Sequence, residues 1–438
     1  MKLQRFGWYV YDWANSAFST TVVTVFLGPY LASVARSAAG PDGSIDPLGI
    51  SMHPGAWFSF CVSLSVALQV LILPVVGAVT DASRQKKKML ALTAYVGAIA
   101  TAGLFFVTTE AGNYMLGGLL FIVANLAFGA SMVVANAFLP DLAPPAERDA
   151  VSSRGWALGY LGGGLLLLVH LLYYESIKDA GGPEGLAVRI ILSSAGIWWA
   201  LFTLVPLKLL PPDTRTVTAG KPQPLAVKGA FKQLWRTLRG LRAYPMTLLF
   251  FVAYLLYNDT IQTVIAMASV YGQEELGLGL DVLTKAILIV QFVAVGGSLL
   301  FERLAGMIGT KPAIVLGLMG WAGVLIAAYV AVTTETHFYL LAVVIAIVMG
   351  GTQALSRSLF SVMIPPGKEA EYFSLYEISD KGTSWLGPLL FGVALTMTNS
   401  YRLALLSLIV FLIAGLILLL KVNVPRAMAE ALETSSVN

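Results

Sequence analysis

Charge is what this sequence has least of. Of its 438 residues only 12% are Asp, Glu, Lys or Arg, about half the share in an average soluble domain. Too few charges exist to coat a water-soluble globule, which excludes a soluble enzyme. There is one cysteine, Cys61, inside an apolar run, and the three histidines, His53, His170 and His337, lie far apart. These supply neither a disulfide framework nor a spaced metal cluster, so no metal is expected. The net charge of +4 is mild and scattered, and gives no basis for a nucleic-acid partner. No G-x-x-x-x-G-K-[ST] occurs, so no nucleotide or other cofactor is indicated.

What is present is apolar: 57% of the residues are hydrophobic and the mean hydropathy is +0.77. Runs long enough to cross a bilayer fall at 14–35, 56–79, 89–108, 114–138, 154–174, 187–208, 244–270, 282–301, 312–333, 338–361, 383–398 and 402–421. They are too long for barrel strands and do not alternate with period two. The reading is an all-α membrane protein with twelve transmembrane helices. Asp12, Asn15 and Ser16 interrupt the first run, so it reads as a span and not as a signal peptide.

With the N-terminus placed inside, 22 of the 28 basic residues fall on the cytoplasmic face, Arg357 lies within a span, and Arg36, Lys178, Arg189, Lys285 and Arg402 fall outside. The positive-inside rule then puts both termini in the cytoplasm of a cell, or inner, membrane. The longest polar segment, 209–243, separates six spans (1–208) from six (244–438). It reads as a Pro-rich linker followed by a basic amphipathic helix bearing Phe231, Leu234, Trp235 and Leu238. Two six-helix halves joined this way are the organisation of the major facilitator fold.

The halves echo one another. Asp12, Asn15 and Ser16 in span 1 follow the same D-x-x-[NQ]-[ST] pattern as Asp259, Gln262 and Thr263 in span 7. Positions i, i+3 and i+4 share a helix face, so each makes a polar stripe suited to a cavity wall. Asn125, Gly129, Met132 and Asn136 make a stripe in span 4, and Gly350, Gln353 and Arg357 make one in span 10. After span 2, Gly77, Asp81 and Arg84 precede three lysines. An aspartate there suits a helix N-terminus and an arginine suits acidic groups on the rim, a gating or structural pairing.

Tyr11-Asp12-Trp13-Ala14-Asn15-Ser16-Ala17-Phe18 resembles the opening signature of the vacuole-effluxer family of major facilitators. Asn136-Ala-Phe-Leu-Pro140, Val151 to Gly163, Tyr257-Asn-Asp259, Gly350 to Phe360 and Tyr372 to Pro388 extend the resemblance over both halves. It implies the facilitator fold, transport, and an amino-acid-like substrate. Ser374 stands where the family pattern leads one to expect glycine.

Without a nucleotide motif, transport is expected to be passive or gradient-driven, with a small-molecule substrate and protons as partners and the chain acting as a monomer in the lipid bilayer. Asp259 is the candidate for proton or amine binding, and Arg357 for a substrate carboxylate or for balancing Asp259, a permanent Asp259–Arg357 pair being the structural alternative. Asp12, Asn15, Asn125, Tyr257, Gln262 and Gln353 are candidate polar contacts or interhelical hydrogen bonds. The span 5 glycines, Gly159 and Gly162 to Gly164, read as a close-packing face. Trp198 and Trp199 read as interfacial anchors, and His170 as a packing residue. The expected function is secondary transport of a small polar solute by alternating access. An exporter of amphipathic compounds and a non-transporting receptor or scaffold are the alternatives.

Overall fold

The structure, a computed structural model, describes residues 1–213, 235, 239–381 and 386–433. The expected amphipathic segment within 209–243 therefore lies almost wholly outside the described residues; Trp235 is helical and exposed. The described chain is helical, with one isolated β-bridge, Ile45 to Met52.

Among the described residues eleven helices are long and apolar enough to cross a membrane. They are α1 (Lys2–Ser37), α2 (Pro54–Ser83), α3 (Lys86–Phe106), α4 (Tyr114–Leu142), α5 (Pro145–Asp179), α6 (Glu184–Leu209), α7 (Pro245–Glu274), α8 (Asp281–Ile308), α9 (Thr310–Val330), α10 (Glu335–Ser361) and, further on, α13 (Tyr401–Lys421). Between α10 and α13 come α11 (Glu369–Lys381) and the shorter apolar α12 (Leu386–Thr398). An amphipathic α14 (Val424–Glu433) follows.

The chain divides into two compact units. The first holds residues 1–72, 85–135 and 158–215; the second holds 73–84, 136–157 and 216–438. Within the first, α6 packs along α1 and α3. A Cβ on Gly196 would stand 2.5 Å from the Ala102 nitrogen, so only glycine permits that backbone approach. Within the second, α8 packs along α10 and α7 along α13. Gly297 on α8 lies against the Ile347 backbone and Gly350 on α10 against the Ala294 carbonyl, each closer than a Cβ allows. Without a hydrophobic drive between helices in lipid, such contacts hold the spans together by dispersion.

Three sequence expectations change. First, helix extends beyond the apolar runs: α1 starts at Lys2, and α11 is helical over Glu369–Lys381, between the runs 338–361 and 383–398. Hydropathy marks the lipid-exposed part of a helix and misses its polar, protein-covered end. Ser374 accordingly lies in helix, its hydroxyl donating to the Glu371 carbonyl. Second, residues Phe18–Phe26 of α1 are π-helical. Third, Trp199 is fully buried against Phe18 and Phe128, and Trp198 stacks on Trp13, so neither is an interfacial anchor.

Candidate functional site

In the first unit the three expected polar residues are all used locally. Asn15 donates from Nδ2 to Met132 Sδ, and Asn125 donates to Ser65 Oγ at 2.8 Å while its carbonyl accepts from Gln69 Nε2 at 3.0 Å. Asp12 is buried; the Ser16 hydroxyl donates to its backbone carbonyl at 2.6 Å, and Gly159 of α5 packs on both residues. Gly162 and Gly163 pack on Trp13, Ser16 and Thr20 in the same way. His170 bonds Thr21 and Ser194.

The second unit repeats the motif geometry and adds a carboxylate. The Thr263 hydroxyl donates to the Asp259 carbonyl at 2.7 Å, matching Ser16 and Asp12, and Gly387 of α12 packs on Asp259 and Thr263 as Gly159 packs on Asp12 and Ser16. The Asp259 side chain is 1% exposed and finds no side-chain hydrogen-bond partner among the described residues.

One helical step away, Tyr254, Asn258 and Gln262 recur at i, i+4 and i+8 of α7, which sets them on one face. All three donate to a single oxygen, Oδ1 of Asp380 on α11, at 3.3, 3.1 and 3.0 Å. Gln353 of α10 extends the chain by donating to Asn258 Oδ1 at 2.8 Å. Tyr257 bonds Ser356 of α10 at 2.7 Å. The structure thus splits the expected stripe: Gln262 turns to Asp380, whereas Asp259 and Thr263 turn to Gly387.

Arg357 does not pair with Asp259. Its guanidinium donates from Nε to Ser152 Oγ at 2.9 Å, from Nη2 to the Ser152 carbonyl at 2.9 Å and from Nη1 to Asn136 Oδ1 at 3.2 Å, and lies 5.3 Å from the Trp156 ring centroid. Asn136 in turn donates to the buried Glu377 of α11 at 2.7 Å. This planar fork, fixed at 1% exposure, is a lock joining Arg357 to Ser152 and, through Asn136, to Glu377, all four residues of the second unit.

A second lock stands at the same helix. Asp81 accepts from the backbone nitrogens of Ala370 and Glu371 at 3.0 and 2.8 Å, capping the N-terminus of α11. Gly77 permits this approach, since a Cβ there would fall 2.4 Å from the Ala370 carbonyl oxygen. Arg84 ends α2 in the left-handed region, φ 53°. Nearby, Arg154 pairs with Glu302 at 2.7 Å and Thr310 donates to Asp149.

Reading the sequence alone left out Asp380, Glu377, Asn258 and Ser152. A signal existed: in a chain this poor in charge, Glu377 and Asp380 stand i, i+3 apart beside aromatic residues. Their place between two apolar runs concealed it. Among the described residues no group of His, Cys, Asp and Glu is placed to hold a metal.

Known sequences resolve the kinship. The sequence model of the vacuole effluxer Atg22-like family matches residues 2–432. The chain belongs to that family. It is 30% identical over 419 residues to the uncharacterized MFS-type transporter YxiO of Bacillus subtilis, covering 95% of this chain and 94% of that one. It is 28% identical over 477 residues to autophagy-related protein 22 of Kluyveromyces lactis, covering 98% and 95%. In fold it is similar to the proton:xylose symporter XylE (TM-score 0.66, 16% identity, 96% and 94% covered) and to the E. coli fucose:proton symporter FucP (TM-score 0.70, 13% identity, 96% and 98% covered). The human organic anion transporter MFSD10 is similar as well, with TM-score 0.70 at 14% identity and 95% and 99% covered. The fold is that of the major facilitators and the chain is an MFS-type transporter, not an enzyme.

Proposed function

We propose that the protein is a secondary transporter of a small polar solute of the amino-acid class, working by alternating access, with Asp380 and Asp259 as its two carboxylates of unequal role. The carrying observation is the environment of the pair. Three neutral donors converge on Asp380 Oδ1, which sets a carboxylate beside a row of amides. That combination suits a solute carrying an ammonium and further polar groups.

Asp259 is buried with no side-chain partner among the described residues, and a bare charge in such a place is costly. It therefore suits a proton, which would couple transport to a gradient. Arg357, held by Ser152 and Asn136, serves to join these segments of the second unit and not to bind solute. The surplus of basic residues on one side supports cytoplasmic termini in a cell membrane.

A thermal-shift screen of the purified protein against amino acids across pH tests this reading. Solutes that bind raise the melting temperature as their concentration passes Kd, and Asp380→Asn removes the shift. If no amino acid shifts the wild type, the solute class is wrong; if Asp380→Asn keeps the shift, the site is wrong.

A further inference from the structure

In the second unit, apart from Asp259 and Asp380, lies a cleft of about 590 Å3. Its volume falls within the range of small-molecule sites, roughly 300–1,000 Å3. The start of α9 (Thr310, Lys311), the end of α13 (Leu420, Lys421) and the start of α14 (Val424, Pro425) line it. Two lysines face it and, among the described residues, none of its lining is acidic.

The electrostatics converge. The Lys311 ammonium donates to the carbonyls of Leu420 and Val422, both at 2.8 Å, neutralising the negative end of α13 and leaving its third N–H without a partner among the described residues. Lys421 is exposed and has no hydrogen-bond or ion-pair partner among the described residues. Two helices of 21 and 10 residues, α9 and α14, begin at the cleft and direct their positive ends toward it. α9 starts after Gly309 with no side-chain cap. Of the remaining lining, Pro312, Leu359, Leu420 and Val422 are apolar, and Asn423 is polar, its Oδ1 accepting from the Arg426 nitrogen. The lysines stand where the apolar spans α9 and α13 end, the depth at which lipid headgroups lie.

We propose that this cleft binds the phosphate of an anionic phospholipid, with Lys311 and Lys421 on the headgroup and the first acyl carbons against the apolar wall. α14 would then be held on the membrane surface beside the lipid. Its Ala427 and Ala431 are buried, and its Glu430 accepts from the Met246 nitrogen at the start of α7, so an occupied cleft braces α7 as well.

Native mass spectrometry of the full chain, released from phosphatidylcholine with and without added phosphatidylglycerol, tests the site. The wild type retains phosphatidylglycerol in preference to phosphatidylcholine. Lys421→Gln, which breaks no hydrogen bond of the fold, weakens that retention about fivefold, the effect expected of one lysine at an anionic headgroup. Lys208→Gln, at an exposed lysine ending α6 that does not line the cleft, leaves it unchanged. Lys311→Gln weakens retention too, but also uncaps α13, so Lys421→Gln decides. Retention unaffected by Lys421→Gln, or equally reduced by Lys208→Gln, overturns the proposal. Glycerol 3-phosphate or inorganic phosphate bound as firmly as the lipid would assign the site to soluble phosphate and overturn the lipid assignment.

Discussion

Asp259 and Asp380 occupy one unit, yet one carboxylate collects three donors and the other has no side-chain partner among the described residues. Substitution should separate them. Asp380→Asn replaces an acceptor-only group by an amide, sets donor against donor for Asn258 or Gln262, and should abolish solute binding while lowering stability by about 1–3 kcal/mol, the cost of a broken buried hydrogen bond to a charge. Asp259→Asn should leave the melting temperature within a few degrees of wild type, because no side chain among the described residues donates to its carboxylate and an amide oxygen can keep the contact with the Gly387 backbone. Arg357→Lys keeps the charge but loses the fork onto Ser152 and Asn136, and should lower the thermal midpoint by more than Asp259→Asn does. A Lys variant as stable as wild type would show that the guanidinium geometry is unimportant.

At the scale of helices, α11 is the element on which both locks close, Asp81 at its N-terminus and Glu377 through Asn136 further along. Asp81→Ala should cost about 0.5–2 kcal/mol, the usual loss of an N-cap, and Gly77→Ala at least as much, because its Cβ meets backbone. Both are read from melting curves; a neutral Gly77→Ala would contradict the close approach. Much of this layer was legible beforehand. The repeated D-x-x-[NQ]-[ST] pattern marks helices whose hydroxyls fold back on the aspartate carbonyl in both units, and the glycines of α5 mark a packed face. The course of α11 was not legible, since its buried surface is polar and hydropathy responds to lipid, not to protein contacts. Nor was the partner of Arg357, because a helix-face argument says which residues leave a helix together and nothing about which distant helix receives them.

At the scale of the whole molecule, the distribution of charge predicts a topology that labelling can test. Cys61 is the sole cysteine and is buried, so Cys61→Ser provides a silent background. A cysteine at Gly181 should react with an impermeant maleimide from outside intact cells, and one at Lys87 only after permeabilisation; the reverse pattern would invert the orientation. The single measurement that bears most directly on the account is solute flux in proteoliposomes under an imposed pH gradient, wild type beside Asp259→Asn. The account predicts that an amino-acid-class solute moves with the gradient in the wild type and that the variant, still folded and still binding, no longer responds to pH. Flux that answers the gradient equally in both proteins would contradict it.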